Sequence, residues 1–232
     1  MLFDILYDIA KYIPVLYNGL KFRECNKQTN KAWKLHKHDI IKLSNDKYLD
    51  VQIIEYMKQY NYLYFHIVFS NISNNQLTSI PTSFGDLQNL HTLDLYNNQL
   101  TSIPSTFGNL QNLHRLYLGS NQLTNIPSML GNLQNLQTLD LTNNQLTSIP
   151  STFGNLQNLH TLDLYNNQLT SIPTLFGNLQ NLHTLDLGSN QLTSIPTSFG
   201  DLQKLQYLSL HNNQLTSIPF CVENLQNLKI YR

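Results

Sequence analysis

Leu90-His91-Thr92-Leu93-Asp94-Leu95-Tyr96-Asn97-Asn98-Gln99-Leu100-Thr101-Ser102-Ile103-Pro104-Ser105-Thr106-Phe107-Gly108-Asn109-Leu110-Gln111-Asn112 is the stretch that decides the architecture. Its Asn98 recurs as Asn75, Asn121, Asn144, Asn167, Asn190 and Asn213, at a constant 23-residue interval. Residues 67–227 divide into seven such units, and Leu228 opens an eighth. Leu93 and Leu95 are two apart, so on a strand both enter one face while Thr92, Asp94 and Tyr96 enter the other. A chain that repeats this register stacks its strands in parallel, about 4.8 Å apart. The Asn98 amide has the donors and acceptor that a buried turn needs, so its copies can bond from repeat to repeat as a ladder. Losing one such amide leaves backbone groups unpaired, at roughly 1–3 kcal/mol. Leu100, Ile103, Phe107 and Leu110 fill the far side of the core, and Pro104 closes the return where no N–H is needed.

Working outward, the repeat explains the composition. The 232-residue chain holds 43 Leu and 30 Asn, a third of all residues in two types. Leu serves the core, and one Asn per unit serves the turn. The net charge is zero, with 14 basic and 14 acidic side chains, so no basic excess exists to neutralise phosphates and nucleic-acid binding is not expected. The neutrality is itself a sum: residues 1–66 carry +3 and residues 67–232 carry −3. The N-terminus has no basic flank, which makes a poor signal peptide. The longest apolar run, 62–69, is too short to span a bilayer, and no membrane association is expected. Cys25 and Cys221 make no disulfide framework and are expected to pack as small hydrophobes. An intracellular, cytoplasmic setting follows as the expectation.

The unit resembles the leucine-rich repeat family, whose pattern is L-x-x-L-x-L-x-x-N-x-L. Its 23-residue form, ending I-P-x-x-F-G-x-L, is similar to the intracellular Ras-suppressor and scribble-like class. The resemblance implies an α/β leucine-rich repeat solenoid, a curved horseshoe with a parallel sheet on its concave face. It also implies a protein partner on that face and no enzymatic activity. Tyr96 matches Tyr165, Gly119-Ser120 matches Gly188-Ser189, and Gln137 matches Gln206, every pair separated by three whole units. A three-repeat block has been duplicated, covering 90–158 and 159–227.

The N-terminal third is organised differently. In residues 38–66, Ile41-x-Leu43-x-x-Asp46 mimics the strand of a repeat, and Val51, Ile54 and Met57 have helical spacing, so the segment reads as a divergent 29-residue unit. Terminal repeats are expected to be atypical because they cap the array. In residues 1–37, Leu2, Ile5, Leu6, Ile9 and Ile13 make one helical stripe that Pro14 stops. Together with Leu20-Lys-Phe22-Arg23-Glu-Cys25, this segment is similar to an F-box, although the usual Leu-Pro opening is missing. That likeness implies docking through Ile5, Leu6, Ile9, Ile13 and Pro14 onto the adaptor of a cullin–RING ubiquitin ligase. The alternative is an amphipathic helical cap of the solenoid. Repeat proteins with similar N-terminal segments occur in amoebae and amoeba-infecting giant viruses, which implies a host cytoplasm if viral.

Candidate binding residues lie at the outward strand positions. Asp94, Asp140, Asp163 and Asp186 share one position, a line continued by Asn71, Tyr117 and Ser209; it reads as a mildly acidic stripe suited to a basic peptide surface, or as solvated strand residues multiplied by duplication. Tyr96, Tyr117, Tyr165, Tyr207, His211 and Arg115 supply the side chains that most often become binding hot spots. Tyr96, Arg115 and Tyr117 form the preferred patch. His91, His114, His160 and His183 share another position as two adjacent pairs, about 5 Å apart on stacked strands. No third ligand is in view, so no metal or other cofactor is expected. No phosphate loop, nucleophile elbow or H-E-x-x-H motif occurs. The last strand, from Leu228, carries no polar cap, which predicts fraying or end-to-end association.

Overall fold

The computed structural model describes residues 76–232, together with Ser73, Asn74 and the backbone of Lys42–Leu43 and Phe69–Asn71. The F-box-like segment with Ile5, Leu6, Ile9, Ile13 and Pro14 lies outside the described residues.

The Leu-x-Leu of every unit forms a three-residue strand because its two leucines can both be buried on one side. Among the described residues the sheet has nine strands in chain order, all parallel: β1 (Lys42–Leu43), β2 (Phe69–Asn71), β3 (Thr92–Asp94), β4 (Arg115–Tyr117), β5 (Thr138–Asp140), β6 (Thr161–Asp163), β7 (Thr184–Asp186), β8 (Tyr207–Ser209) and β9 (Lys229–Tyr231). From β2 to β8 the register advances by one whole unit at each step, as in Leu93↔Leu116 and Leu139↔Leu162. β1 departs from the sequence reading. The I-x-L-x-x-D pattern sets Ile41 level with Ser70, whereas Leu43 occupies that level. A strand pattern has period two, so a slip by one such period leaves it unchanged and sequence cannot choose between the registers.

Opposite the sheet, each unit returns through a five-residue 3-10 turn opened by proline, such as Ser105–Asn109 after Pro104 and Ser151–Asn155 after Pro150. Proline suits that place because its fixed φ, −63° at Pro104, enters the turn without needing a donor. Between sheet and turns runs one continuous core. Leu93, Leu95, Leu100, Phe107, Leu110 and their equivalents in the interior units are fully buried, each side chain stabilising the fold by about 1.5–3 kcal/mol relative to exposure. Repeats approach so closely on the turn side that a Cβ on Gly154 would fall 2.3 Å from the Leu175 carbonyl oxygen, which requires glycine.

The asparagine ladder forms as expected, and each interior amide has four backbone partners. Asn144 Nδ2 donates to the carbonyls of Leu141 and Thr142 in its own turn, at 3.2 and 3.0 Å, and to Leu118 of the preceding unit at 3.0 Å. Its Oδ1 accepts from Leu123 N–H at 2.9 Å. The residue before each ladder asparagine is left-handed: Asn97, Asn143, Asn166 and Asn212, and also Ser120 and Ser189, have φ of 50–54°. A second ladder, invisible in the sequence reading, runs along the Leu-Gln-Asn segment. Asn112, Asn135, Asn158 and Asn181 each donate to a Gln carbonyl of the preceding unit, all at 2.8 Å.

The final unit changes its return. Phe220–Glu223 is a short α-helix, α1, and Glu223 pairs with Arg232. Cys221 does not pack as a small hydrophobe: it is exposed, with Sγ 3.3 Å from the Thr197 carbonyl. It sits where Thr106, Thr152 and Ser198 donate hydroxyls to the preceding turn, so the position is a hydrogen-bonding surface site.

Candidate functional site on the open sheet face

The face opposite the leucines carries three rows of side chains, fixed by strand register. The first comprises Thr92, Arg115, Thr138, Thr161, Thr184, Tyr207 and Lys229. The second, in register with Asn71, comprises Asp94, Tyr117, Asp140, Asp163, Asp186, Ser209 and Tyr231. The third, just beyond the strands, comprises Tyr96, Gly119, Thr142, Tyr165, Gly188 and His211. Tyr231 continues the acidic line and is absent from the sequence-based candidates: the 23-residue interval sets Arg232 level with Ser209, whereas β9 is shifted by one residue and Tyr231 stands there.

The aspartates are half-buried rather than solvated. Each Oδ1 accepts the backbone N–H two residues ahead: Asp94 from Tyr96 at 3.0 Å, Asp140 from Thr142 at 2.9 Å, Asp163 from Tyr165 at 3.0 Å and Asp186 from Gly188 at 2.8 Å. Burial pushes the Asp163 carboxyl up to about 6; the Tyr165 N–H opposes this, and the charges of Asp186 and Asp140 on the adjoining strands add to it. Asp94 is raised as well, by burial first and then by Asp140. Asp140, Asp163 and Asp186 stand in consecutive register with no cation between them among the described residues, so the row is electrostatically unsatisfied.

Aromatic rings lie over the two glycines of the third row. A Cβ on Gly188 would fall 2.4 Å from His211 Cε1, and across it the His211 and Tyr165 rings stack at 5.7 Å. Ser209 Oγ and His211 Nδ1 are 2.8 Å apart, which fixes the ring. Ser209 is fully buried, so this pair orients a side chain and offers no accessible nucleophile. Over Gly119 the Tyr96 ring comes within 3.0 Å of a built Cβ.

The structure sets Arg115 and Tyr117 on β4 and Tyr96 just beyond β3, in the first, second and third rows respectively, with Tyr96 and Arg115 exposed; Arg115 and Tyr96 are thus at opposite sides of the face. It joins Tyr165 with His211, flanked by Asp163 and Asp186. Tyr207 stands apart from that cluster and packs against Tyr231 with the rings tilted, centroids 4.9 Å apart. Among the described residues no group of three or more His, Cys, Asp or Glu could hold a metal ion, and no helix is long and apolar enough to cross a membrane.

Two family models match the chain. One, leucine-rich repeat region, matches residues 40–140, and the other, leucine rich repeat, matches 134–192, 157–215 and 180–230. The chain is a leucine-rich repeat protein. Among solved structures, a leucine-rich repeat protein of Leptospira interrogans is similar at a TM-score of 0.69 and 42% identity. The match covers 72% of this repeat protein and 42% of the leptospiral chain, so it spans less than half the length of that relative. No curated protein matches the chain. Leucine-rich repeats generally mediate protein–protein interaction.

Proposed function

We propose that this repeat protein is a non-enzymatic binding module, acting inside the cell, that holds a protein partner on its concave strand face. The observation that carries the reading is the composition of that face in register: an unpaired row of half-buried aspartates flanked by Tyr96, Arg115, Tyr117, Tyr165, Tyr207 and His211. Aromatic and guanidinium side chains held on a rigid sheet lose little conformational freedom on binding, which is why such groups become hot spots. The row of carboxylates favours a partner segment bearing lysine or arginine, whose charge would relieve the repulsion among them.

The test is proximity labelling with the full chain, comparing the unchanged protein with a Tyr96→Ala/Arg115→Ala/Tyr117→Ala variant. Loss of the labelled partners, with circular dichroism unaltered, is the expected result. Equal capture by the triple variant overturns the strand-face assignment. A second reading rests on the F-box-like stripe alone: the chain acts as substrate adaptor of a cullin–RING ubiquitin ligase through Ile5, Leu6, Ile9, Ile13 and Pro14. Co-precipitation of the cullin adaptor with the full chain, abolished by Ile9→Asp/Ile13→Asp, supports it; absence of any co-precipitation removes it.

A further inference from the structure

The lateral edge of the sheet, one residue before the strands, carries a feature that the strand-face reading does not use. His91 and His114 stack with ring centroids 5.2 Å apart and planes 9° from parallel; His160 and His183 do the same at 5.2 Å and 7°. In all four, Nδ1 lies 2.6–2.8 Å from the carbonyl oxygen of the asparagine two residues earlier. A carbonyl oxygen only accepts, so each Nδ1 carries a proton, and in the neutral ring Nε2 is the nitrogen with the free lone pair. No described residue bonds to these Nε2 atoms, and the rings are at least partly open to solvent.

The supports are built in. Asn112, Asn158 and Asn181, whose carbonyls hold three of the four rings, are themselves pinned by the second ladder at 2.8 Å. The backbone spacing of each pair is clamped by His114 N–H to His91 O at 2.8 Å and His183 N–H to His160 O at 2.9 Å. An imidazole that donates one nitrogen to a backbone carbonyl and offers the other as a lone pair is the arrangement in which histidine ligates metals.

We propose that His91–His114 and His160–His183 are two equivalent two-histidine sites for a late first-row divalent cation, with Cu2+ held most tightly, then Ni2+ and Zn2+. Water completes the coordination. Metal–nitrogen distances near 2.0–2.1 Å put two neighbouring bound nitrogens about 3 Å apart, so the parallel rings must lean together by about 1 Å each at Nε2. Because each Nε2 bonds along its in-plane lone pair, the expected bound geometry is two rings turned steeply toward each other in place of the stack.

The probe is Cu2+ alone, titrated into the full chain and followed by calorimetry. His36, His38, His66 and His211 also occur in the chain, so the readout is a difference in stoichiometry. His114→Gln and His183→Gln should each remove one bound Cu2+, the double variant two, and His211→Gln none. Glutamine already occupies this position at Gln137 and Gln206, so these variants keep the fold, which circular dichroism verifies. Unchanged stoichiometry in the double variant overturns the proposal. Electron spin-echo modulation of the copper gives a second measurement: signals from two imidazoles per ion are expected, and one imidazole per ion refutes chelation by the pairs.

Discussion

The two three-repeat blocks, 90–158 and 159–227, began as copies, and they have diverged in only some of their surfaces. The edge row is identical: His91, His114 and Gln137 match His160, His183 and Gln206. The ladder asparagines are also identical. The open sheet face has changed at Arg115 against Thr184, Tyr117 against Asp186, Thr138 against Tyr207, Asp140 against Ser209 and Thr142 against His211. The turn side has changed most in its last unit, where Phe153 and Gly154 face Val222 and Glu223. A core position meets atoms of two neighbouring repeats with no room to spare, whereas a side chain on the face meets mainly solvent and its register neighbours. Substitution on the face therefore costs little, and the face is where the blocks have become different surfaces.

The largest test of that contrast is in the core. Phe153 is fully buried in the middle of the array, and Phe153→Ala is expected to destabilise by about 4 kcal/mol. Its block mate Val222 is equally buried but smaller and sits within α1, so Val222→Ala should cost about 2 kcal/mol. Urea unfolding of both variants measures the difference. Equal losses would mean that the last unit packs as tightly as the interior ones.

The ladder gives the next comparison. Asn144 is buried with four backbone partners, whereas Asn213, its mate in the second block, is half-buried with the same bond pattern. Asn144→Ala strands those groups away from water and should cost about 3 kcal/mol. For Asn213→Ala, where water can reach the turn, about 1.5 kcal/mol is expected.

How far the sequence discloses this molecule follows from the same geometry. A constant period with Leu at fixed offsets determines register, core and ladder, because those features repeat and only one stacking satisfies all copies. It also places Tyr96, Arg115 and Tyr117 on neighbouring units. The Gln-Asn of Leu-Gln-Asn, by contrast, looks like solvated loop, and its ladder emerges only when adjoining repeats bring Gln88 O to Asn112 Nδ2. The tautomer of the edge histidines is equally hidden, since it depends on a carbonyl two positions back turning toward Nδ1. Asp163 looks solvated because Leu-Asp-Leu is a tolerated strand pattern; its altered acidity comes from burial and from charges one repeat away in either direction. The register of β1 is not legible, because a slip by one strand period preserves the alternation.

A smaller effect depends on pH. Asp163, held near 6 when folded and near 3.8 when unfolded, binds more protons in the native state between those values. The wild-type chain therefore loses stability as pH rises from 3.8 toward 6, and above 6 it carries the full cost of a charged Asp163. Asp163→Asn keeps the acceptor for Tyr165 N–H and removes the charge. At pH 7.5 it should stabilise by about 1 kcal/mol, discounted for partial solvent screening, and the gain should shrink as pH falls below 6. Thermal melts across that range check it. A gain that does not change with pH would assign the effect to packing instead.

The smallest expected effect lies where the blocks agree. Ser120 and Ser189 both take φ of 53°, a left-handed conformation that Asn tolerates better than Ser and that Asn97, Asn143, Asn166 and Asn212 occupy elsewhere. Asn97 Nδ2 also reaches Asn74 Oδ1 at 2.8 Å, and Asn166 Nδ2 reaches Asn143 Oδ1 at 2.9 Å, a surface bond that serine is too short to donate. Ser120→Asn relieves the backbone and supplies the missing donor toward Asn97, and Ser189→Asn does the same toward Asn166. Each should stabilise by about 0.5–1 kcal/mol, and the two should add because the turns are three repeats apart. Urea midpoints of the single and double variants decide the matter. Equal gains would mean the duplicated turns have stayed interchangeable, and a gain confined to one would place the divergence of the blocks in their turns as well as on their sheet face.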